Sequence, residues 1–302
     1  MRKKIYLHLG YHKTATTFLQ QSIYPKLKNV NFVRYGLIKR DYRRIRLNTL
    51  TDMDIENIRN FLISFNNGQP MLFSYEGLSG SPFSPKPAKT QLEILTDLRR
   101  IFPKENYDVH VIIGLREQVE LFTSLYVQHL HQGGILDGKG FIKYCEHNGS
   151  IHNFHFNNYL KNIEELFGED RLFLMVYEYF RENRDQEMLR LLNYMGEPEI
   201  PKYKNQEWNK SYGTMQVAVA RKLNRYFKTP IHPKGKLPII EIPKVGNLSP
   251  RNLLQNKLSF KLHYKRYEFP DSLQNELKER YSGGNKIVDE KYKLNLPQKY
   301  FY

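Results

Sequence analysis

With one cysteine, one tryptophan and no long apolar run among its 302 residues, the chain is characterised first by what it cannot build. Cys145 alone excludes an intrachain disulfide, which fits a reducing compartment, and it leaves no thiolate set for a structural zinc. No apolar stretch approaches the roughly 20 residues that a membrane helix needs. The basic N-terminus leads into a short alternating segment rather than the continuous apolar stretch of a signal peptide, so none is expected. Internal repeats and low-complexity tracts are absent. Acidic residues are scarce: 31 Asp and Glu stand against 47 Lys and Arg, a net charge of +16. Such a field attracts polyanions, whether nucleic acid, an anionic membrane surface or an acidic polysaccharide. Helix-turn-helix, zinc-finger and RNP signatures are missing, so no specific nucleic acid is expected, while peripheral membrane contact stays open. What is present, 40% hydrophobic and 14% aromatic residues, is the composition of a globular chain long enough for a full core.

The chain is organised around residues 4–21, KIYLHLGYHKTATTFLQQ. Ile5, Leu7 and Leu9 alternate with Tyr6 and His8, which predicts a half-buried strand ending at Gly10. Phe18, Leu19 and Ile23 then follow at helical spacing, with Thr14, Thr16 and Thr17 where a helix start takes hydroxyls. A loop ending on a helix N-terminus offers free N–H groups and the positive end of a dipole, a site for phosphate or sulfate, and Lys13 adds a mobile charge. A nucleotide-triphosphate loop needs a glycine directly before its lysine. That position is His12, so the pattern fails.

Further along, Phe32 and Val33 read as an edge strand. The cations Lys39, Arg40, Arg43, Arg44 and Arg46 that follow either line an acidic-substrate cleft or form an exposed connection, the reading preferred here. Periodicity predicts helices over 52–65 and 87–101, the second burying Leu92, Leu95, Leu98 and Ile101. Core strands are expected at 71–75, 108–115 and 171–176, the middle one apolar on both faces as in a central parallel strand. Helical patterns follow through Val119, Phe122, Tyr126, Val127 and Leu130, then over 141–145, 154–167, 186–194, 214–227, 273–281 and 285–292. Residues 229–250 carry many prolines and little periodicity, an irregular segment that reads as a lid or substrate-facing loop. The basic, aromatic residues 257–267 either grip an anionic glycan or pack on the domain. The expectation is an α/β fold with a central parallel sheet flanked by helices, as one domain over 1–302 with a Pro-rich insertion around 229–268. In such sheets ligands gather beyond the carboxyl ends of the strands, where the Lys13 loop, Glu76 and Arg116 all fall. His129 and His131 point to different faces of a helix, and His8 and His12 make no convincing zinc set, so no metal is expected.

Two spacings carry a family resemblance. Gly10, Lys13, Thr14, Thr16 and Thr17 match G-x-x-K-T-x-T-T, and Arg116, Ser124 and Tyr126 match an arginine at a strand end with serine and tyrosine eight and ten positions on. Together they resemble the signatures of the sulfotransferases that use 3′-phosphoadenosine 5′-phosphosulfate (PAPS), and the likeness, bacterial and carbohydrate-sulfotransferase-like, extends over most of the chain. It implies a P-loop nucleotide-hydrolase-like sulfotransferase fold. It also implies that Gly10, Lys13, Thr14, Ala15, Thr16 and Thr17 hold the 5′-phosphosulfate, and that Arg116 and Ser124 hold the 3′-phosphate. Lys210 and Ser211, in a segment similar to the family's N-x-S, would add 3′-phosphate contacts. Glu76, ending an F-S-Y-E run, is the implied base, with Lys13 stabilising the leaving oxygen. His12, His129 and His131 stay open as alternative bases, because the soluble small-molecule members use histidine. Tyr177 belongs near the adenine or in the core, and the core is the reading taken. Ala15, Gln118, Leu121 and Tyr179 depart from frequent glycine, proline, arginine and aspartate. The implied activity is metal-free sulfuryl transfer from PAPS to a hydroxyl of a carbohydrate or glycolipid, neutral or anionic, leaving 3′-phosphoadenosine 5′-phosphate (PAP). A chain that begins on its first strand without an anchor fits a cytoplasmic, bacterial enzyme. The rivals are a nucleotide-dependent phosphoryl transferase and a non-enzymatic polyanion-binding protein on the same fold.

Overall fold

Strands that are apolar at successive positions need cover on both faces, and helices supply it here. The computed structural model describes residues 2–80, 82–83, 89–204, 211–229, 231–242, 246–254 and 265–302. Lys210, residues 257–264 of the basic aromatic stretch and the expected helix start at 87–88 lie outside them. Strands β1 (Lys3–His8), β2 (Asn31–Val33), β3 (Met71–Ser74), β4 (Tyr107–Leu115) and β5 (Leu172–Val176) form one sheet in the order β2-β3-β1-β4-β5, every neighbouring pair parallel. This is the expected α/β architecture. In chain order the helices are α1 (Thr16–Phe18), which runs on as a π turn over Leu19–Ile23, α2 (Tyr35–Leu47), α3 (Asp52–Ile63), α4 (Gln91–Ile101), α5 (Gln118–His131), α6 (Gly138–His147), α7 (Phe156–Phe167), α8 (Tyr177–Glu182), α9 (Arg184–Met195), α10 (Thr214–Asn224), α11 (Pro250–Asn252) and α12 (Asp271–Tyr292). Among the described residues, no helix is long and apolar enough to cross a membrane.

Alternation along the strands sorts the core into two layers. Ile5, Leu7, Met71, Phe73, Val109, Val111 and Ile113 enter the larger layer beneath α2 to α7 and α12. Tyr6, Leu72, Ile112 and Met175 enter the smaller one, closed by Phe18, Leu19 and Ile23 and by Met188, Leu191 and Leu192 of α9. The first strand is therefore buried on both faces, not half-buried. Buried His8 is hydrogen-bonded at one ring nitrogen: its Nδ1 lies 2.9 Å from Ser74 Oγ and 3.0 Å from the Tyr24 hydroxyl, while its Nε2 has no partner among the described residues.

Four expectations are corrected. The basic run read as an exposed connection is helix α2, anchored by buried Ile38, Tyr42 and Ile45 at helical spacing. Leu92 is 47% exposed, because the reciprocal Thr90–Glu93 cap starts α4 at Gln91 and turns Ile94, Leu95, Leu98 and Ile101 inward. The C-terminal helices over 273–281 and 285–292 are one helix. Gly284 keeps α12 close to α7, since a Cβ there would come within 2.8 Å of Asn157, and buried Asn285 donates to Gln118 Oε1 at 3.0 Å and to the Tyr300 carbonyl at 2.8 Å. The segment read as irregular, a lid or substrate-facing loop, contains an antiparallel hairpin of β6 (Ile240–Ile242) and β7 (Gly246–Leu248).

Candidate active site

The chain leaves β1, forms β2 and β3 on one side, then crosses to β4 on the other side of β1. The carboxyl ends of β1, β3 and β4 thus open on one crevice. Across it runs the loop after β1, with Lys13 and Ala15 in the left-handed region at φ 67° and 66°. Each such residue costs on the order of 1 kcal/mol, so surrounding structure must impose the shape. Thr14 Oγ1 donates to the Tyr11 carbonyl at 2.6 Å, and Arg116 Nη1 donates to the Lys13 carbonyl at 3.1 Å. Tyr11 is wedged among Phe154, Phe156 and Tyr159 with ring centroids 5.0–5.6 Å away. Gly114 of β4 passes directly beneath: a Cβ there would meet Thr14 Oγ1 at 2.6 Å.

Contrary to the capping expectation, no threonine side chain caps α1. Thr14 is spent on the loop, Thr17 lines the cleft, and the Thr16 hydroxyl is buried without a partner. An unpaired buried hydroxyl costs about 1–3 kcal/mol, and an oxygen of a bound phosphate group would satisfy it. A PAPS-type donor, the kind the sulfotransferase resemblance implies, is therefore compatible with the residues present.

Lys13, Thr17, Glu76, Ser124 and Ser211 come together around a cleft of about 210 Å³. Gly10, Thr14, Ala15, Thr16 and Arg116, named with them from the sequence, are not among the residues that line it. Arg116 is 5% exposed at its side chain; its Nη2 meets Glu120 Oε2 at 3.2 Å and its guanidinium lies 4.5 Å over the Tyr177 ring. Tyr177, read as core, is instead a half-buried platform for that arginine. Burial pushes the Glu120 carboxyl up, but the Lys299 hydrogen bond and the charges of Arg116, Lys299 and Arg181 outweigh it and hold it at about 2.

His12 Nδ1 lies 3.2 Å from Glu76 Oε1, and its Nε2 lies 3.2 Å from the Gly80 carbonyl. A carbonyl only accepts, so Nε2 carries hydrogen, and the Nδ1 contact requires a further proton shared with the carboxyl. Burial pushes the half-buried Glu76 up, but the His12 hydrogen bond and charge, with Lys13, bring it net below the ordinary carboxylate value. Lys13 is brought down to about 8, chiefly by burial, with Glu76 opposing and Arg116 and Arg251 adding to it.

The remaining histidines separate. His129 packs 5.3 Å from the Phe141 ring, and burial lowers it to about 4. His131 lines the cleft edge-on to Tyr212 at 4.1 Å; burial, then Arg251 and Lys13, lowers it to about 3. Gln128, Gln132 and Arg251 also line the cleft. The two glutamines follow Ser124 by one and two turns of α5, so helical periodicity from that serine locates them; Arg251 has no comparable signal. Among the described residues, no group of three His, Cys, Asp or Glu could hold a metal ion.

No family model and no curated protein sequence matches the chain significantly. Several solved structures are similar to it. A sulfotransferase from Alicyclobacillus acidocaldarius is 12% identical over 69% of this chain and 87% of its own, with a TM-score of 0.48. The sulfotransferase domain from the Curacin biosynthetic pathway is 10% identical over 98% and 99%, at 0.42. The sulfotransferase domain from the Synechococcus PCC 7002 olefin synthase is 11% identical over 98% and 96%, at 0.40. The functional reading rests on the chemistry of the site.

Proposed function

We propose that the protein is a PAPS-dependent sulfotransferase acting on a hydroxyl of a carbohydrate or glycolipid. The observation that carries this is the meeting of Lys13, Thr17, Glu76 and Ser124, from three separate stretches of chain, in one cleft beside a strained loop with an unsatisfied buried hydroxyl. The loop and Lys13 take the phosphosulfate end of PAPS, and Arg116 and Ser124, with Ser211, take the nucleotide's 3′-phosphate, Arg116 also bonding the loop through the Lys13 carbonyl. Lys210, named with them from the sequence, lies outside the described residues.

Glu76 is the base that fits best. Both His12 nitrogens are occupied, His129 is away from the cleft, and His131 is far too weakly basic. Glu76 gives one oxygen to His12 and keeps the other for the acceptor. As the acceptor oxygen bonds to sulfur, its proton passes to Glu76, the sulfur–oxygen bond to the phosphate breaks, and the electron pair ends on the bridging oxygen, where Lys13 stabilises it. Transfer of labelled sulfate from PAPS to a panel of saccharides, compared between the natural protein and Glu76→Gln, tests this. Losing the base is expected to lower kcat by about 10²-fold or more with PAP affinity retained. Full activity in Glu76→Gln would overturn the assignment.

A further inference from the structure

The cations of α2 sort by face. Arg40 and Arg44 are paired with Asp41, and Arg44 also meets Asp54 of α3. Lys39, Arg43 and Arg46 meet no carboxylate among the described residues, and Arg46, half-buried, keeps an Nε without a partner. At 3.6 residues per turn, Tyr35, Lys39, Arg43 and Arg46 fall within about 80° of arc, flanking the buried stripe of Ile38, Tyr42 and Ile45. The unpaired charges therefore form one ridge.

That ridge adjoins the base. α2 packs against the turn Glu76–Ser79, and the Tyr75 ring, directly before Glu76, lies 4.6 Å from Tyr35 and 5.3 Å from Tyr42 in stacked orientation. The tight return at Gly77 holds that stack, because a Cβ there would strike the Tyr75 ring at 2.5 Å. Burial, then a hydrogen bond with Tyr75, pushes the Tyr35 hydroxyl up to about 12, while the charges of Arg46 and Glu76 act on it with opposite sign.

We infer that the ridge of Lys39, Arg43 and Arg46, with the Tyr35–Tyr75 stack, is the acceptor subsite and that its occupant is an anionic saccharide chain. The inference rests on the sulfuryl-transfer reading and names its acceptor class. Tyrosine faces take the apolar faces of sugar rings, three unpaired cations take carboxylates along the chain, and the stack leads to Glu76, where the reacting hydroxyl arrives. A neutral saccharide would leave the three cations unanswered.

Affinity of the full chain, saturated with PAP, is measured by calorimetry for a uronate hexasaccharide and for a neutral glucan hexasaccharide. The uronate is expected to bind at least about tenfold tighter at low salt, with the difference shrinking as salt rises. Since each exposed ion pair is worth a factor of about two to five, Lys39→Ala/Arg43→Ala/Arg46→Ala is expected to weaken the uronate roughly tenfold or more and leave PAP affinity unchanged. Lys39→Glu/Arg43→Glu, which alters only exposed side chains, carries the same expectation if loss of half-buried Arg46 disturbs folding. Equal affinity for the two saccharides, or a charge-reversed variant that still binds uronate, overturns the inference. So does a ridge that prefers duplex DNA or anionic vesicles over the uronate. Failure of PAP itself to bind would instead count against the sulfotransferase reading, so the two failures are distinguishable.

Discussion

Replacing Lys13 by methionine is expected to stabilise the free protein while slowing transfer. Burial, with the charges of Arg116 and Arg251 and against the attraction of Glu76, brings the ammonium from its ordinary 10.5 to about 8. At about 1.4 kcal/mol per unit this disfavours the charged form by about 3 kcal/mol, and allowing for the solvent still touching the side chain gives about 2 kcal/mol. The folded-state value lies below the unfolded one. Below about pH 8 the lysine is charged in both states and the penalty is present in full; between about 8 and 10.5 the unfolded chain binds more protons, so stability rises with pH. Methionine keeps the stem and the same left-handed backbone, so loop strain cancels in the comparison. Urea unfolding of both proteins is expected to show the variant ahead by about 2 kcal/mol near neutral pH, with most of that advantage gone by about pH 10. Subtracting one protein from the other at each pH removes the other titrating groups. A variant that is no more stable near neutral pH, or an advantage that does not shrink, would refute the reasoning. The same variant is expected to lose about 10²-fold or more in kcat, the usual consequence of removing a charge aimed at a developing anion.

Two further perturbations probe the supports of the site. His12→Asn removes the group that lowers the Glu76 carboxyl, so the acid limb of the kcat profile is expected to move to higher pH; an unmoved limb would detach His12 from the base. Gly114→Ala drives a methyl against Thr14, and is expected to cost about 1–3 kcal/mol in urea unfolding and to weaken PAP binding although no cleft residue changes; unchanged PAP affinity would show that Gly114 does not set the loop.

Much of the fold was legible because its signals are local. The run from Val109 to Ile113 reads as a central strand, and all five sheet strands lie where apolar segments predicted them. Helix α2 was missed because its cations obscure the spacing of Ile38, Tyr42 and Ile45 and no side chain caps its start. Leu92 was misplaced because a cap, not the apolar pattern, sets where α4 begins. In the site, Lys13, Thr17, Glu76, Ser124 and Ser211 were nameable from spacing or resemblance and do share one cleft. The partnership of His12 with Glu76 was not, because it spans 64 residues and depends on how the turn after β3 places Gly80. Nor was the task of Thr14, whose hydroxyl turns back to its own loop, a choice made by φ angles that no residue type dictates.

The central claim is tested most directly by calorimetric titration with PAP and with ADP, isomers that carry their second phosphate on the 3′-oxygen and on the 5′-phosphate respectively, in the natural protein and in Ser124→Ala. The site is expected to bind PAP at least about tenfold more tightly than ADP, the worth of one or two charge-assisted hydrogen bonds, and to lose most of that preference in Ser124→Ala. Equal affinity for the two nucleotides, or tighter binding of ADP, would contradict the sulfotransferase account.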